Sequence, residues 1–419
     1  MKHLIDKIEQ ICNNISQITF DGKQKTKFIA TENIAFTLLD EYAILYEELI
    51  SDILSEADNS EKFSEKYIDK KLQSFIAILI KEKADRNIIE KNLKIFLNEL
   101  QNFNTKYRVI VPLIGIQMTP DVFSAGEIRL LKGTQSTLDT IFSEVKEIIL
   151  STRNTDEEKE MMIKSQEAEF KQNLLNKVLA DYSVVAEPTM AKDRAIIETR
   201  RVIDVFRFSI PFLYHDSHRV NLSIFGELSK QVRYIPILSE DKKGFTIESD
   251  AVGLLYNYEL SAQNIEVLEK IGALKILDLL KRKFISLNDF EKVLLRTIHW
   301  YATHTIQEEL ENKLLNLITS LETLLTPRDN NPIGTAIAEG TAILVTEGVD
   351  NRRKLKKRMQ ELYRLRSAVS HGGKKSVNET DIIELRWIVS NLIVTLIHKL
   401  SEFNSQKDLL DWIEEQKLS

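Results

Sequence analysis

The sequence predicts an α+β protein that is mostly α, with an N-terminal helical and mixed α/β region followed by a C-terminal four- or five-helix bundle. Three observations carry this expectation. Apolar residues recur at helical spacing at both ends of the chain, β-branched runs bounded by proline and glycine are confined to its middle, and 419 residues suffice for two or three buried cores. The expected division is a helical region over 1–105, an α+β sensor or regulatory region over 106–285 and a helical domain over 286–419.

From Lys2 to about Phe103, Leu4, Ile8, Ile11 and Ile15 repeat at helical spacing, as do Ile88, Leu93, Phe96 and Leu100. The polar stretch Glu56 to Lys71 reads as a loop between helices. Strands begin at Tyr107, where Tyr107 to Val111 and Ile114 to Ile116 are bounded by Pro112, Pro120 and Gly126. Further short strands are expected at Glu127 to Leu131, Tyr182 to Ala186, Arg219 to Ile224 and Phe245 to Ile247. A charged helix is expected from about Asp156 to Leu179, and a connecting helix from Glu259 to Leu280.

Beyond Ser286-Leu287-Asn288-Asp289, a helix start, everything reads as helix. Leu310, Leu314, Leu317, Ile318, Leu321, Leu324 and Leu325 form one core stripe, which Thr326-Pro327 ends. A shorter helix follows from about Thr335 to Thr346 and a basic one from about Asn351 to Ser370, stopped by Gly372-Gly373. The last long helix can start from a capping box Ser376-Val377-Asn378-Glu379 and bury Leu385, Ile388, Val389, Leu392, Leu396 and Leu400.

Composition excludes several function classes. No apolar run approaches the roughly 20 residues of a membrane span, and the N-terminus leads directly into an amphipathic pattern, so the expected location is the cytoplasm. The single cysteine, Cys12, supplies neither a disulfide nor a metal site. No phosphate-cradling or dinucleotide-binding glycine motif occurs, so no cofactor is implied. His215-Asp216-Ser217-His218 lacks further ligands at a recognisable spacing, and no metal site is expected there. His299 and His304 read as buried or interfacial, and Arg194, Arg200, Arg201 and Arg207 as partners of Asp193, Glu198 and Asp204.

The net charge is −6, yet residues 351–375 hold ten basic side chains against one acid, Glu361. The basic residues include Arg352, Arg353, Lys354, Lys356, Lys357, Arg358 and Arg364. Alone, such a run reads as a solvated helix face. At its end stands Arg366-Ser367-Ala368-Val369-Ser370-His371, an Arg-x4-His spacing that is common by chance and gains weight only from its surroundings.

The words Leu362-Tyr363-Arg364-Leu365-Arg366-Ser367-Ala368-Val369-Ser370-His371-Gly372 resemble the L-Y-x-L-R-(S/N)-x-x-x-H-G segment of the Apea-like HEPN group. Trp300 and the helix Asn312 to Leu325, with Ser320-Leu321-Glu322-Thr323-Leu324-Leu325, are similar to that group's A-L-E-A-L-L helix. The resemblance covers about 130 residues at the C-terminus and not the region before 286. It implies a HEPN-type bundle and an endoribonuclease needing no metal, in which two such motifs meet across a homodimer. An imidazole suits proton exchange with a ribose 2′-OH and a guanidinium suits the charge developing on the phosphate, so His371 and Arg366 are the implied catalytic pair.

Ser367 and Glu322 are the implied supporting residues; Glu322 reads equally well as a boundary residue beside the core stripe. The basic residues become a track for the RNA backbone, and a role in bacterial antiviral defence or a toxin system, with a phage-derived trigger or an antitoxin partner, is inherited from the resemblance. The bland alternative is a helix-end pair in which the histidine caps carbonyls and the arginine binds a neighbouring acid. Two further readings stay open: a HEPN scaffold that binds RNA or protein without cutting, and a toxin held by a nucleotidyltransferase antitoxin.

Overall fold

Leu4, Ile5, Ile8 and Ile11 fall on one side of the first helix, α1 (Lys2–Asn13), and all four are buried. The computed structural model describes residues 1–14, 26–30, 35–56, 59–215, 219–227, 235–238, 245–248, 255–326, 332–370 and 376–418. After α1 come an antiparallel hairpin, β1 (Thr26–Ala30) and β2 (Ala35–Leu39), and the helices α2 (Asp40–Ser55), α3 (Asn59–Lys62), α4 (Glu65–Glu82) and α5 (Arg86–Gln101).

The hairpin corrects the all-helical expectation for this region. Its segments, TKFIA and AFTLL, have the aromatic and β-branched content of short strands. The expected loop from Glu56 to Lys71 is a second correction. Ser64 accepts the Tyr67 N–H and starts α4 inside that stretch, and Ile68, Leu72, Ile76 and Leu79 continue a buried stripe from it. In α5 Ile89 joins Leu93, Phe96 and Leu100 in the buried stripe, with Ile88 turned outward. Ile15 lies outside the described residues.

The chain divides into two compact units, 1–109 with 182–196 and 110–181 with 197–419. The first encloses one apolar core from α1, α2, α4 and α5, including Tyr46, Phe63, Leu72, Ile76 and Leu93. Cys12 is partly buried against it, and burial pushes its thiol up to about 11. When the chain returns to this unit, Glu187 accepts the backbone N–H groups of Ser64, Thr189 and Met190.

Chain order continues with β3 (Lys106–Ile114), β4 (Ile116–Met118), β5 (Val122–Ala125), β6 (Ile128–Lys132), α6 (Gln135–Ser151), α7 (Asp156–Leu174), β7 (Val178–Val185) and α8 (Pro188–Leu213). Then come β8 (Val220–Asn221), β9 (Ser223–Ile224), β10 (Ile235–Leu238), β11 (Phe245–Glu248), β12 (Tyr256–Leu260), α9 (Ala262–Lys270) and α10 (Ala273–Leu279). One sheet has the order β5-β6-β7-β3-β9. In a second, β12 pairs in parallel with both β4 and β8.

Gly115 sits where β3 gives way to β4. Its φ is +69°, and a Cβ there would stand 1.7 Å from the Asn221 carbonyl oxygen, so only glycine fits. Three sequence expectations move. The charged helix stops at Leu174, because Val178 and Leu179 belong to a buried strand. Glu259 is in β12, and the connecting helix is two helices interrupted at Gly272, whose φ is +76°. α8 continues through Pro211, which lies in its last turn.

The C-terminal part contains α11 (Asp289–His304), α12 (Leu310–Leu325), α13 (Ile333–Val345), α14 (Val349–Ser370), α15 (Glu379–His398) and α16 (Gln406–Leu418). Six helices are described, rather than four or five, because the chain turns back after α15 and α16 buries Leu409 and Ile413. The core stripe of α12 is as expected, with Leu310 only half-buried. The start of α15 shifts: Asn378 is the cap, and the Asp381 carboxylate accepts its N–H at 3.3 Å in place of a Ser376 box.

A boundary at 285/286 does not divide the units. α8 is the reason, since its second half reaches both the strands and the bundle. Phe206 stacks on Tyr258 of β12 at 5.2 Å, Phe208 meets Tyr301 of α11 edge-on at 6.0 Å and Phe212 meets Trp387 of α15 at 5.5 Å. No helix is long and apolar enough to cross a membrane among the described residues.

Candidate active site

Met359, Leu362 and Arg366 recur at three- and four-residue spacing along α14, so they share one face. The first two are buried. Arg366 extends that face by a turn, and a guanidinium brought to the edge of an apolar seam needs an acceptor. The acceptor is Glu322 of α12. Arg366 Nη2 lies 3.1 Å from Glu322 Oε1 and donates to Oε2 at 3.2 Å, with side chains 27% and 20% exposed.

The Tyr363 hydroxyl donates to Glu322 Oε1 at 3.2 Å. Its ring passes so close to α13 that a Cβ on Gly334 would stand 2.6 Å from it. Burial, and then the charge of Glu322, raise the Tyr363 pKa, so the phenol stays protonated and donating. Arg366 Nε is buried without a hydrogen-bond partner among the described residues. Tyr363 and Arg366, in the last two turns or so of α14, thus form one polar cluster with Glu322 of α12.

Ser367, half-buried beside Arg366, makes no side-chain hydrogen bond among the described residues. α14 ends at Ser370, one residue before His371, and residues 371–375 lie outside the described residues. They include Gly372, Gly373, Lys374 and Lys375. Tyr363 was legible within the L-Y-x-L-R words but carried no role in the sequence reading. Its three-residue spacing from Arg366 is the signal that it faces the same side.

The basic residues of the expected RNA track separate into those that meet neighbouring groups and those that do not. Lys356 binds Glu339 of α13 at 2.6 Å, and Arg358 binds Asp381 and Glu384 of α15 at 2.6 and 2.8 Å. Arg352 donates to the Thr346 carbonyl, and Arg353 lies 3.7 Å from Asp350. Lys354, Lys357 and Arg364 are exposed without an ion pair among the described residues. At about 100° per residue, Arg364 and Lys357 stand roughly on the far side of the helix from Arg366. Exposed basic charge and the Glu322 cluster therefore occupy opposite faces of α14.

No family model, no curated protein and no solved structure matches the chain. The residues themselves carry the functional reading. Among the described residues, no group of three or more His, Cys, Asp or Glu could hold a metal ion. His215 is described, whereas 216–218 are not.

The other singled-out side chains also find their places. His304 is buried and bonds the Tyr301 carbonyl, while His299, expected to be buried or interfacial, is 55% exposed and meets Asp204 of α8. Its Nδ1 lies 2.8 Å from Asp204 Oδ2. Arg201 pairs with Glu198 and Arg207 with Asp204. Arg200 takes Glu227 instead, and Arg194 takes Glu61 instead of Asp193, because α8 carries them toward those acids and away from its own.

Proposed function

We propose that the chain is an endoribonuclease of the HEPN kind, cleaving RNA without a metal, with Arg366 and His371 as its catalytic pair. The observation that supports this is the meeting of Glu322 and Arg366 at 3.1 Å: the supporting carboxylate suggested by resemblance lies beside the catalytic arginine, across two helices. The 2′ oxygen of the ribose attacks the adjacent phosphorus and its proton passes to His371. The bond from phosphorus to the 5′ oxygen breaks, leaving a 2′,3′-cyclic phosphate and a 5′-hydroxyl that takes up a proton. Arg366 bears on the phosphate oxygens, where charge develops, and Glu322 with Tyr363 fixes the guanidinium beforehand. Two copies of the motif meet in a homodimer, and a place in bacterial antiviral defence or a toxin system follows from the same resemblance.

A second reading has its own support. With Arg366 held by an acid and Lys354, Lys357 and Arg364 exposed on the opposite face, the bundle also suits a scaffold that binds RNA through its phosphates and does not cut it. Purified protein incubated with end-labelled tRNA and mRNA in EDTA, beside His371→Ala, separates the two. Cleavage by the parent protein alone, with cyclic phosphate ends, is expected of the enzyme. RNA binding without cleavage in either protein supports the scaffold.

A further inference from the structure

Away from the Glu322 cluster, α8, the segment following α10 and α11 enclose a cavity of about 310 Å³. Its apolar lining includes Val205, Leu280, Leu295 and Ile298. Four cations, Arg200, Arg201, Lys292 and Arg296, share it with a single carboxylate, Asp204. Arg200 and Arg201 are held by Glu227 and Glu198. Lys292 and Arg296 make no ion pair among the described residues, so positive charge is in excess at the opening.

A fixed polar pair completes the floor. The Asp204 carboxylate, only 6% exposed, lies 2.8 Å from His299 Nδ1 and 3.6 Å from Arg207, itself 7% exposed. A buried carboxylate bonded to one ring nitrogen fixes the imidazole and leaves the other nitrogen for a ligand. Phe284 adds a flat surface, with Arg201 and Lys292 lying 5.4 and 5.6 Å from its ring centre.

We propose that this cavity binds an organic phosphate of mononucleotide size: the phosphate on Lys292, Arg296 and His299, and an uncharged body against the aliphatic wall. Charge excess selects an anion, and guanidinium and ammonium donors suit phosphate oxygens. Size and mixed lining match those of small-molecule sites, for which about 300 Å³ is the lower end. Neither the polar floor nor the aliphatic wall is explained by RNA cleavage at Arg366, so the inference stands apart from that reading.

Isothermal titration calorimetry of the full chain with AMP, adenosine and inorganic phosphate tests it. AMP is expected to bind at least about tenfold more tightly than either fragment, since both the phosphate and the body contribute. Lys292→Ala, at a half-buried position, and Arg296→Ala, at an exposed one, are each expected to weaken AMP about tenfold, while Lys94→Ala in the other unit leaves it unchanged. No AMP binding, equal affinity for AMP and phosphate, or full AMP affinity in the Lys292 and Arg296 variants overturns the proposal. Circular dichroism of each variant confirms that the fold is retained.

Discussion

Arg366 connects packing to chemistry, because the face of α14 that buries Met359 and Leu362 delivers it to Glu322. If it stabilises charge developing on phosphate, Arg366→Ala lowers the cleavage rate by about 10²- to 10³-fold, the cost of one preorganised donor. A tie between helices predicts something else: a loss of roughly 1–3 kcal/mol in unfolding free energy, with the rate constant of the remaining folded protein unchanged. Measuring urea unfolding and single-turnover cleavage on the same variant discriminates them. His299 yields a pH prediction. The bond to Asp204 raises its pKa above the ordinary 6.5, and burial pushes the Asp204 carboxyl up against the pull of His299, Arg207 and Arg200. Both groups hold protons more tightly in the folded chain, so both contribute in the same direction. The His299 contribution is complete below the unfolded value near 6.5 and is lost as pH rises through its folded value. Thermal unfolding of the parent protein is therefore expected to shift downward as pH rises above about 6.5, and His299→Gln to flatten that slope. An unchanged slope in the variant sinks the assignment.

Helix ends and close approaches decide the elements. Asn288 accepts the Glu291 N–H at 2.7 Å while Glu291 accepts the Asn288 N–H at 2.8 Å, and Glu291 also binds Arg282 at 2.6 Å. Asn288→Ala is expected to cost about 1 kcal/mol and to speed hydrogen exchange in the first turn of α11. Equal exchange in both proteins would show the cap to be redundant. Gly334 packs against the cluster from α13: a methyl group there would stand 2.6 Å from the Tyr363 ring, so the ring or α13 has to shift. Gly334→Ala is expected to reduce cleavage, with Tyr363→Phe as the milder comparison; full activity in Gly334→Ala would show that the ring's position does not matter. Period-3.6 stripes made α1, α12 and α15 legible, and the start signal at Asn288 marked α11. The β1/β2 hairpin and the start of α4 left little trace in the sequence, since short strands and a helix entered through a polar turn have little apolar periodicity to show. α16 lies in the stretch that reads as helix throughout, and its Leu409 and Ile413, spaced by one turn, are buried.

At the scale of the whole molecule, the proposed enzyme needs two copies. Sedimentation is expected to place the active species at twice the 48.4 kDa of the chain, and specific activity to fall on dilution as the dimer dissociates. Activity that is monomeric and independent of dilution would exclude a shared cleft. The two compact units do not follow the three stretches that composition separates, because α8 carries Phe206, Phe208 and Phe212 to partners on β12, α11 and α15, residues far apart in sequence. Local spacing and residue type, working within a few turns of chain, were enough to determine the mostly helical α+β class, the α12 core stripe and the Arg-x4-His words. Only the tertiary structure decided that Arg366 meets Glu322 and Tyr363, that Lys356 and Arg358 serve neighbouring helices while Arg364 faces away, and that Asp204 meets His299 in the lining of a cavity. Such pairings depend on which helix faces are brought together through long-range packing, a property that no single stretch of sequence contains.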